Sequence, residues 1–284
     1  MAGHVAVVID STAYLPPELL ASHRITVVPV SVVIGGQVHD ETDVSTDDVA
    51  TALREWTPVT TSRPSPQRFA AAYRALAAHG CTGVVSMHLS AELSATVESA
   101  WLAAAECGIE VEVVDTRTIG MALGFAAVTA AEEAEQGSAL DKVVARAHQR
   151  LDATTILFYV DTLEYLRRGG RIGKAAALVG SALSVKPLLH VVDGRVEPLE
   201  KVRTTSRALA RLADLAADHA AACGSGEVDI AVHHLDNAAR AEELAAALRD
   251  RVPNAASVLL VEIGAVVGAH VGPGTIAVVV APRI

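Results

Sequence analysis

Three short stretches gather hydroxyl and imidazole side chains: Thr61-Ser62-Arg63-Pro64-Ser65-Pro66, Ser90-Ala91-Glu92-Leu93-Ser94-Ala95-Thr96, and Gly268-Ala269-His270-Val271-Gly272-Pro273-Gly274. Singly, each has a plain reading. A serine or threonine ahead of a helix is usually an N-cap, and a lone histidine in a glycine-rich loop is more often structural or exposed. Together they describe a neutral anion site. Hydroxyls gathered at a helix N-terminus donate inward, and the helix dipole favours negative charge there. A carboxylate is held in such a site without a buried lysine or arginine, whose desolvation is costly.

Other chemistries find less support. Gly169-Gly170-Arg171-Ile172-Gly173-Lys174 looks like a phosphate loop but has three residues between Gly169 and Gly173, and Ala175 follows the lysine. A Walker loop needs four, then Ser or Thr. A helix stop and tight turn is the better reading. GxGxxG, GxSxG and HExxH are absent from the sequence, which removes the main support for a dinucleotide fold, a serine-hydrolase elbow and a zinc protease. Ser94 as nucleophile with His270 as base would make an acyl hydrolase, but an elbow and an orienting acid are lacking. Cys81, Cys107 and Cys223 are far apart and form no CxxC, so free thiols are expected, with no disulfide framework, metal or cofactor.

Of the 284 residues, 51% are hydrophobic but only 3% aromatic, so any pocket has mainly aliphatic walls. The net charge of −10, without a basic stripe, argues against nucleic acid as a partner. The N-terminus lacks the pattern of a signal peptide, and the apolar stretch 175–185 is too short to span a bilayer. A cytoplasmic protein is expected.

These loops need elements to position them. The β-branched run 5–9 predicts a buried first strand, 25–34 a second, turned back at Gly35-Gly36. Residues 46–54, 67–78, 92–106, 122–135 and 139–151 read as helices, with strands at 83–87 and 110–115. Residues 60–66 suit neither helix nor central strand. This rhythm predicts a parallel, helix-covered sheet. The second half differs. It reads as a strand at 155–160, helices at 163–168 and 174–183, a hairpin of 188–192 with 195–198 around Asp193-Gly194, helices at 205–222 and 238–251, and strands at 228–233, 257–262 and 275–281. The expected fold is therefore α/β: an N-terminal parallel-sheet lobe with flanking helices at 1–152, and a C-terminal mixed or antiparallel α/β lobe at 153–284.

Asp10-Ser11-Thr12-Ala13-Tyr14-Leu15-Pro16, Thr61 to Pro66, Leu93-Ser94-Ala95-Thr96-Val97-Glu98-Ser99-Ala100 and Val113-Val114-Asp115-Thr116 run through the first half. Leu163 to Ile172, Ser184-Val185-Lys186-Pro187-Leu188-Leu189, Arg203-Thr204 and Gly268 to Gly274 follow in order. These stretches give the chain a resemblance to the DegV family, the fatty-acid-binding subunits of bacterial fatty acid kinase systems. It implies carboxylate-binding loops in the first lobe and a long acyl chain buried in an interior tunnel that the second lobe completes. Thr61, Ser62 and Ser94 would surround the carboxylate, with His270 beside it. Arg203, at the tunnel mouth, and His270 would support phosphorylation of the bound acid by a separate ATP-dependent kinase, giving an acyl phosphate for phospholipid precursor metabolism. The protein itself would be no enzyme. It departs from the family at Ala95, where glycine is usual, and at Thr205 and Ser206, where basic residues are frequent.

Overall fold

The computed structural model describes residues 4–178 and 186–284. They fall into two compact units, one of residues 4–31 with Ser62–Ala153 and Ile284, the other of Val32–Thr61 with Thr154–Arg283.

The first unit is built on a parallel four-stranded sheet in the order Thr26–Val28, His4–Asp10, Cys81–His88, Glu110–Asp115. His4–Asp10 is buried from Val5 onward, as a central parallel strand covered on both faces must be. Ala6, Val8 and Val84 pack under Phe69 and Tyr73 of the Pro66–Ala78 helix and Ala100 and Ala103 of the Thr96–Ala104 helix. Gly83 points the other way, towards Leu140 of the Leu140–Ala153 helix. The Met121–Glu135 helix is rich in alanine and buried almost all round. Small side chains let it approach closely: a β-carbon on Gly124 would come within 3.1 Å of the Ala13 carbonyl oxygen.

The second unit holds a six-stranded mixed sheet in the order Arg195–Val202, Lys186–Val192, Thr155–Tyr159, Ile276–Pro282, Val228–His234, Ala255–Glu262. The last two pair in parallel and the others antiparallel. Helices Thr205–Ala222 and Ala238–Arg251 close one face through Leu212, Leu244 and Leu248 against Leu157, Ile230, Val232 and Val278. A three-stranded sheet, Gln37–Asp40, Ser31–Ile34, Val59–Ser62, accompanies the Thr46–Arg54 helix.

The structure differs from the sequence reading in six places. The strand expected at 25–34 is broken at Pro29, which lacks the N–H a ladder needs; its halves, Thr26–Val28 and Ser31–Ile34, join different sheets. Val32–Thr61 consequently packs in the second unit, whereas a single cut at 152 assigns it to the first. Residues 59–62 do form a strand, at the edge of its sheet where a following proline is tolerated. The helix expected from residue 92 begins at Thr96, after a turn. His270 lies not in a loop but in the last turn of the Ala265–Val271 helix, which Gly272 ends at φ 77°. The helix expected at 174–183 is a 3-10 segment over Gly173–Leu178, and the remainder, with Ser184-Val185, lies outside the described residues.

Candidate functional site

In the second unit, the edge strand Val59–Ser62 presents Thr61 with its Oγ1 2.9 Å from His270 Nε2. Thr61 is half-buried; Ser62, next along, is exposed, and its hydroxyl makes no hydrogen bond among the described residues. The helix carrying His270 is fixed at both ends. At the start, the buried Glu41 carboxylate accepts from the Val266 N–H at 2.8 Å, satisfying one of the donors a helix leaves open. Midway, Gly268 lies close to Leu235 and Val49. At the far end, the Tyr165 ring lies directly over Gly272, and the His270 ring over Gly169. Burial, and secondarily the nearby Arg171 guanidinium, push His270 down to about 4, so the imidazole is neutral at physiological pH. Its Nδ1 is buried with no hydrogen-bond partner among the described residues. Arg171 Nη1 donates to the Gly169 carbonyl at 2.6 Å.

In the first unit, Ser94 sits in a turn whose Leu93 and Ser94 N–H groups both point to the Ser90 carbonyl, at 2.9 and 3.0 Å. Its hydroxyl is 2.9 Å from that of the buried Thr96. The following helix starts with Ala95 at its N-cap and no side-chain cap, so the Ser94 and Thr96 hydroxyls flank the helix start instead of closing it. The turn is pinned from three directions. Asp10 accepts from the Leu89 N–H at 2.9 Å, Asp115 from the Ala91 N–H at 3.1 Å, and the Thr118 carbonyl from the Ser90 N–H at 2.9 Å. Arg63 donates to the Ala95 carbonyl and to Glu98, at 3.3 and 2.6 Å.

Behind that turn runs a buried polar chain absent from the sequence reading. The Asp10 carboxylate accepts from the Thr12 N–H and hydroxyl and lies 3.3 Å from His88 Nδ1. His88 Nε2 meets Ser86 at 2.7 Å, and Ser86 meets the Tyr73 hydroxyl at 2.7 Å. Burial pushes the Tyr73 phenol well above its usual range. Alternation along Cys81–His88 places Ser86 and His88 on one face, the only trace of this chain that the sequence offers.

Arg203 lies between the end of Arg195–Val202 and Thr204, whose hydroxyl caps the Thr205–Ala222 helix by accepting from the Arg207 N–H. It is exposed and makes no hydrogen bond or ion pair among the described residues. The hydrolase alternative gains nothing here, since the partner of Ser94 is a hydroxyl that supplies no base. Cys81, Cys107 and Cys223 are free, and among the described residues no three His, Cys, Asp or Glu side chains are grouped to hold a metal. No helix among them is long and apolar enough to cross a membrane.

The pattern defined as "Uncharacterised protein, DegV family" matches residues 4–283. A DegV domain-containing protein of Streptomyces coelicolor is 56% identical over 284 residues, 100% of both chains. One from Mycobacterium tuberculosis is 38% identical over 282 residues, 97% of this chain and 96% of the other. This chain belongs to the DegV family. Its α/β architecture, one parallel and one mixed sheet, is shared by solved members. DegV from Bacillus subtilis, described as a fatty acid binding protein, has a TM-score of 0.91 at 30% identity, covering 99% of this chain and 100% of that one. A fatty-acid-binding DegV family protein from Thermus thermophilus has a TM-score of 0.90 at 33% identity, with the same coverage.

Proposed function

We propose that this protein binds a long-chain fatty acid, its carboxylate surrounded by Thr61, Ser62 and Ser94 with His270 beside it, and its tail enclosed by aliphatic side chains. The observation that carries the reading is the Thr61–His270 pair, a hydroxyl joined to a neutral imidazole. Such a pair donates to a carboxylate without burying a fixed cation. The fatty-acid-binding relatives from B. subtilis and T. thermophilus support the choice of ligand. Affinity comes chiefly from the tail, at roughly 0.8 kcal/mol per buried methylene, and orientation from the hydroxyls. The protein transfers no phosphate itself. It presents the carboxylate to a separate ATP-dependent kinase that forms the acyl phosphate, with Arg203 and His270 assisting. Three free thiols suit a reducing, cytoplasmic setting.

The test is ligand retention. Protein purified without added lipid is denatured and extracted, and fatty acid is quantified by mass spectrometry against protein. About one fatty acid per chain is expected for a closed apolar pocket, with no turnover of ester substrates. Trace lipid together with no uptake of added palmitate overturns the reading.

A further inference from the structure

His270 has two ring nitrogens, and the fold treats them differently. Nε2 faces the Thr61 hydroxyl at 2.9 Å. Nδ1 is buried and has no hydrogen-bond partner among the described residues. A neutral imidazole carries one N–H and one lone pair, so one of the two must lie at the unpartnered position. A buried N–H without an acceptor is rarer and costlier than an acceptor without a donor.

Gly169 adds a second, independent argument. Its backbone sits at φ −72°, an ordinary helical value open to any residue, so conformation is no reason for a glycine. Space is. A β-carbon there would lie 2.1 Å from His270 Nδ1. An α-hydrogen of Gly169 points along that direction instead, so an Nδ1–H would run into a C–H and a lone pair would not. The Tyr165 ring over Gly272 fixes the same helix end from the other side.

We infer that Gly169 and Tyr165 lock His270 as its Nε2–H tautomer, so that it donates to Thr61 Oγ1 and leaves the threonine's own hydrogen free to donate to the anionic head group. His270 is then a positioning residue that acts through Thr61, and Gly169 is the residue that selects its tautomer. The inference rests on the reading that Thr61 meets a carboxylate, but its first test does not.

That test uses delipidated protein carrying 15N-labelled histidine. At neutral pH the His270 ring should show an unprotonated Nδ1 and a protonated Nε2; the reverse assignment overturns the inference with no ligand present. Failure of the wild type to take up palmitate would instead count against the fatty-acid reading alone. Palmitate affinity then tests the relay. Thr61→Val and His270→Ala should each lose about tenfold to a hundredfold, Thr61→Ser should retain binding, and the Thr61→Val/His270→Ala protein should be no weaker than the weaker single variant. Multiplying losses, or an undiminished His270→Ala, overturn it. Gly169→Ala should shift the His270 nitrogen signals and weaken palmitate binding; unchanged signals and affinity overturn the lock. Should that variant fold poorly, Gly169→Ala in the His270→Ala background decides, because removing the ring makes room for the methyl. It should match His270→Ala in both stability and affinity, and a further loss of either overturns the inference.

Discussion

The turn that carries Ser94 and the helix that carries His270 are held by different forces. Ser94's turn hangs on hydrogen bonds to the carboxylates of Asp10 and Asp115, with Asp10 backed by a fully buried His88. His270's helix is held by rings laid on glycines, with a single carboxylate, Glu41, on its first turn. A scaffold of buried charge fails when an acceptor is removed, because each donor it served is stranded. A scaffold of close packing fails when an atom is added. The two regions should therefore respond to opposite kinds of substitution.

The largest effect is expected at Asp10. Asp10→Ala strands the N–H groups of Thr12 and Leu89 and leaves His88 without its carboxylate. Each buried donor left unsatisfied costs about 1–3 kcal/mol, so a loss of about 3–6 kcal/mol is expected in urea unfolding. A loss below about 1 kcal/mol would show that the turn stands without its charges and would end the contrast.

Acid should act on the second unit. Burial lowers His190, His233, His234 and His270, His233 to about 3 and His270 to about 4. Unfolded, these groups titrate near 6.5, so between pH 6.5 and about 4 the unfolded chain takes up protons that the folded one refuses. Stability is fully present above 6.5 and falls as pH falls through that window. For His233 and His270 together the loss from pH 7 to 5 is about 2–4 kcal/mol. Urea midpoints at the two pH values measure it. Hydrogen exchange at pH 5 should show the six-stranded sheet opening before the parallel sheet of the first unit. Equal opening in both would separate acid sensitivity from the packed region.

Much of the scaffold was legible because local signals agreed with tertiary need. The helices 46–54, 205–222 and 238–251 match the sequence reading at both ends, the first two with Ser45 and Thr204 capping them and apolar residues at helical spacing. Asp193-Gly194, at φ 50° and 80°, turns the hairpin it predicts. Pro29 shows where legibility ends. Read as one strand, 25–34 splits there, and which sheet each half joins is decided by distant partners. The Ala265–Val271 helix reads as a loop because glycines flank and interrupt it, yet Gly268 is the site of its close packing on Leu235 and Val49. Site residue types were equally plain, but their partners were not. Thr61 and His270 are 209 positions apart, and no spacing rule joins them. Gly169-Gly170 reads as a helix stop, and Gly170, at φ 71°, turns the chain there; that Gly169 makes room for a ring is invisible in the sequence.

Smaller effects are expected where head-group donors are removed one at a time. Ser94→Ala in the hydrogen-bonded turn and Thr61→Val beside the packed helix should each weaken fatty acid binding by about 1–3 kcal/mol, the usual cost of a donor to a charged group. Folding stability should hardly move in Ser94→Ala, whose half-buried hydroxyl meets only that of Thr96, and should fall by about 1–3 kcal/mol in Thr61→Val, which takes the acceptor from the His270 ring. The fatty alcohol of equal length should bind the wild type less well than the acid. Equal affinity for the two, measured by calorimetry, would show that neither region reads a carboxylate.

The smallest effect on affinity is expected at Arg203, and it separates holding a ligand from presenting it. Arg203 is exposed, lies outside both regions compared above and makes no hydrogen bond or ion pair among the described residues. Removing such a side chain usually changes folding stability by less than about 0.5 kcal/mol. Because affinity comes mainly from burying the acyl tail, Arg203→Ala should bind palmitate as the wild type does. Its cost should appear only when a kinase and ATP are added, as slower acyl-phosphate formation at equal ligand occupancy. The assay needs the kinase of the same organism, because Thr205 and Ser206 stand where basic residues are frequent in the family, and a foreign kinase would meet a less basic surface. Phosphorylation at the wild-type rate by a kinase that accepts the wild type would remove Arg203 from presentation while leaving the binding site untouched. A loss of palmitate affinity in Arg203→Ala would do the reverse, making the arginine part of the site.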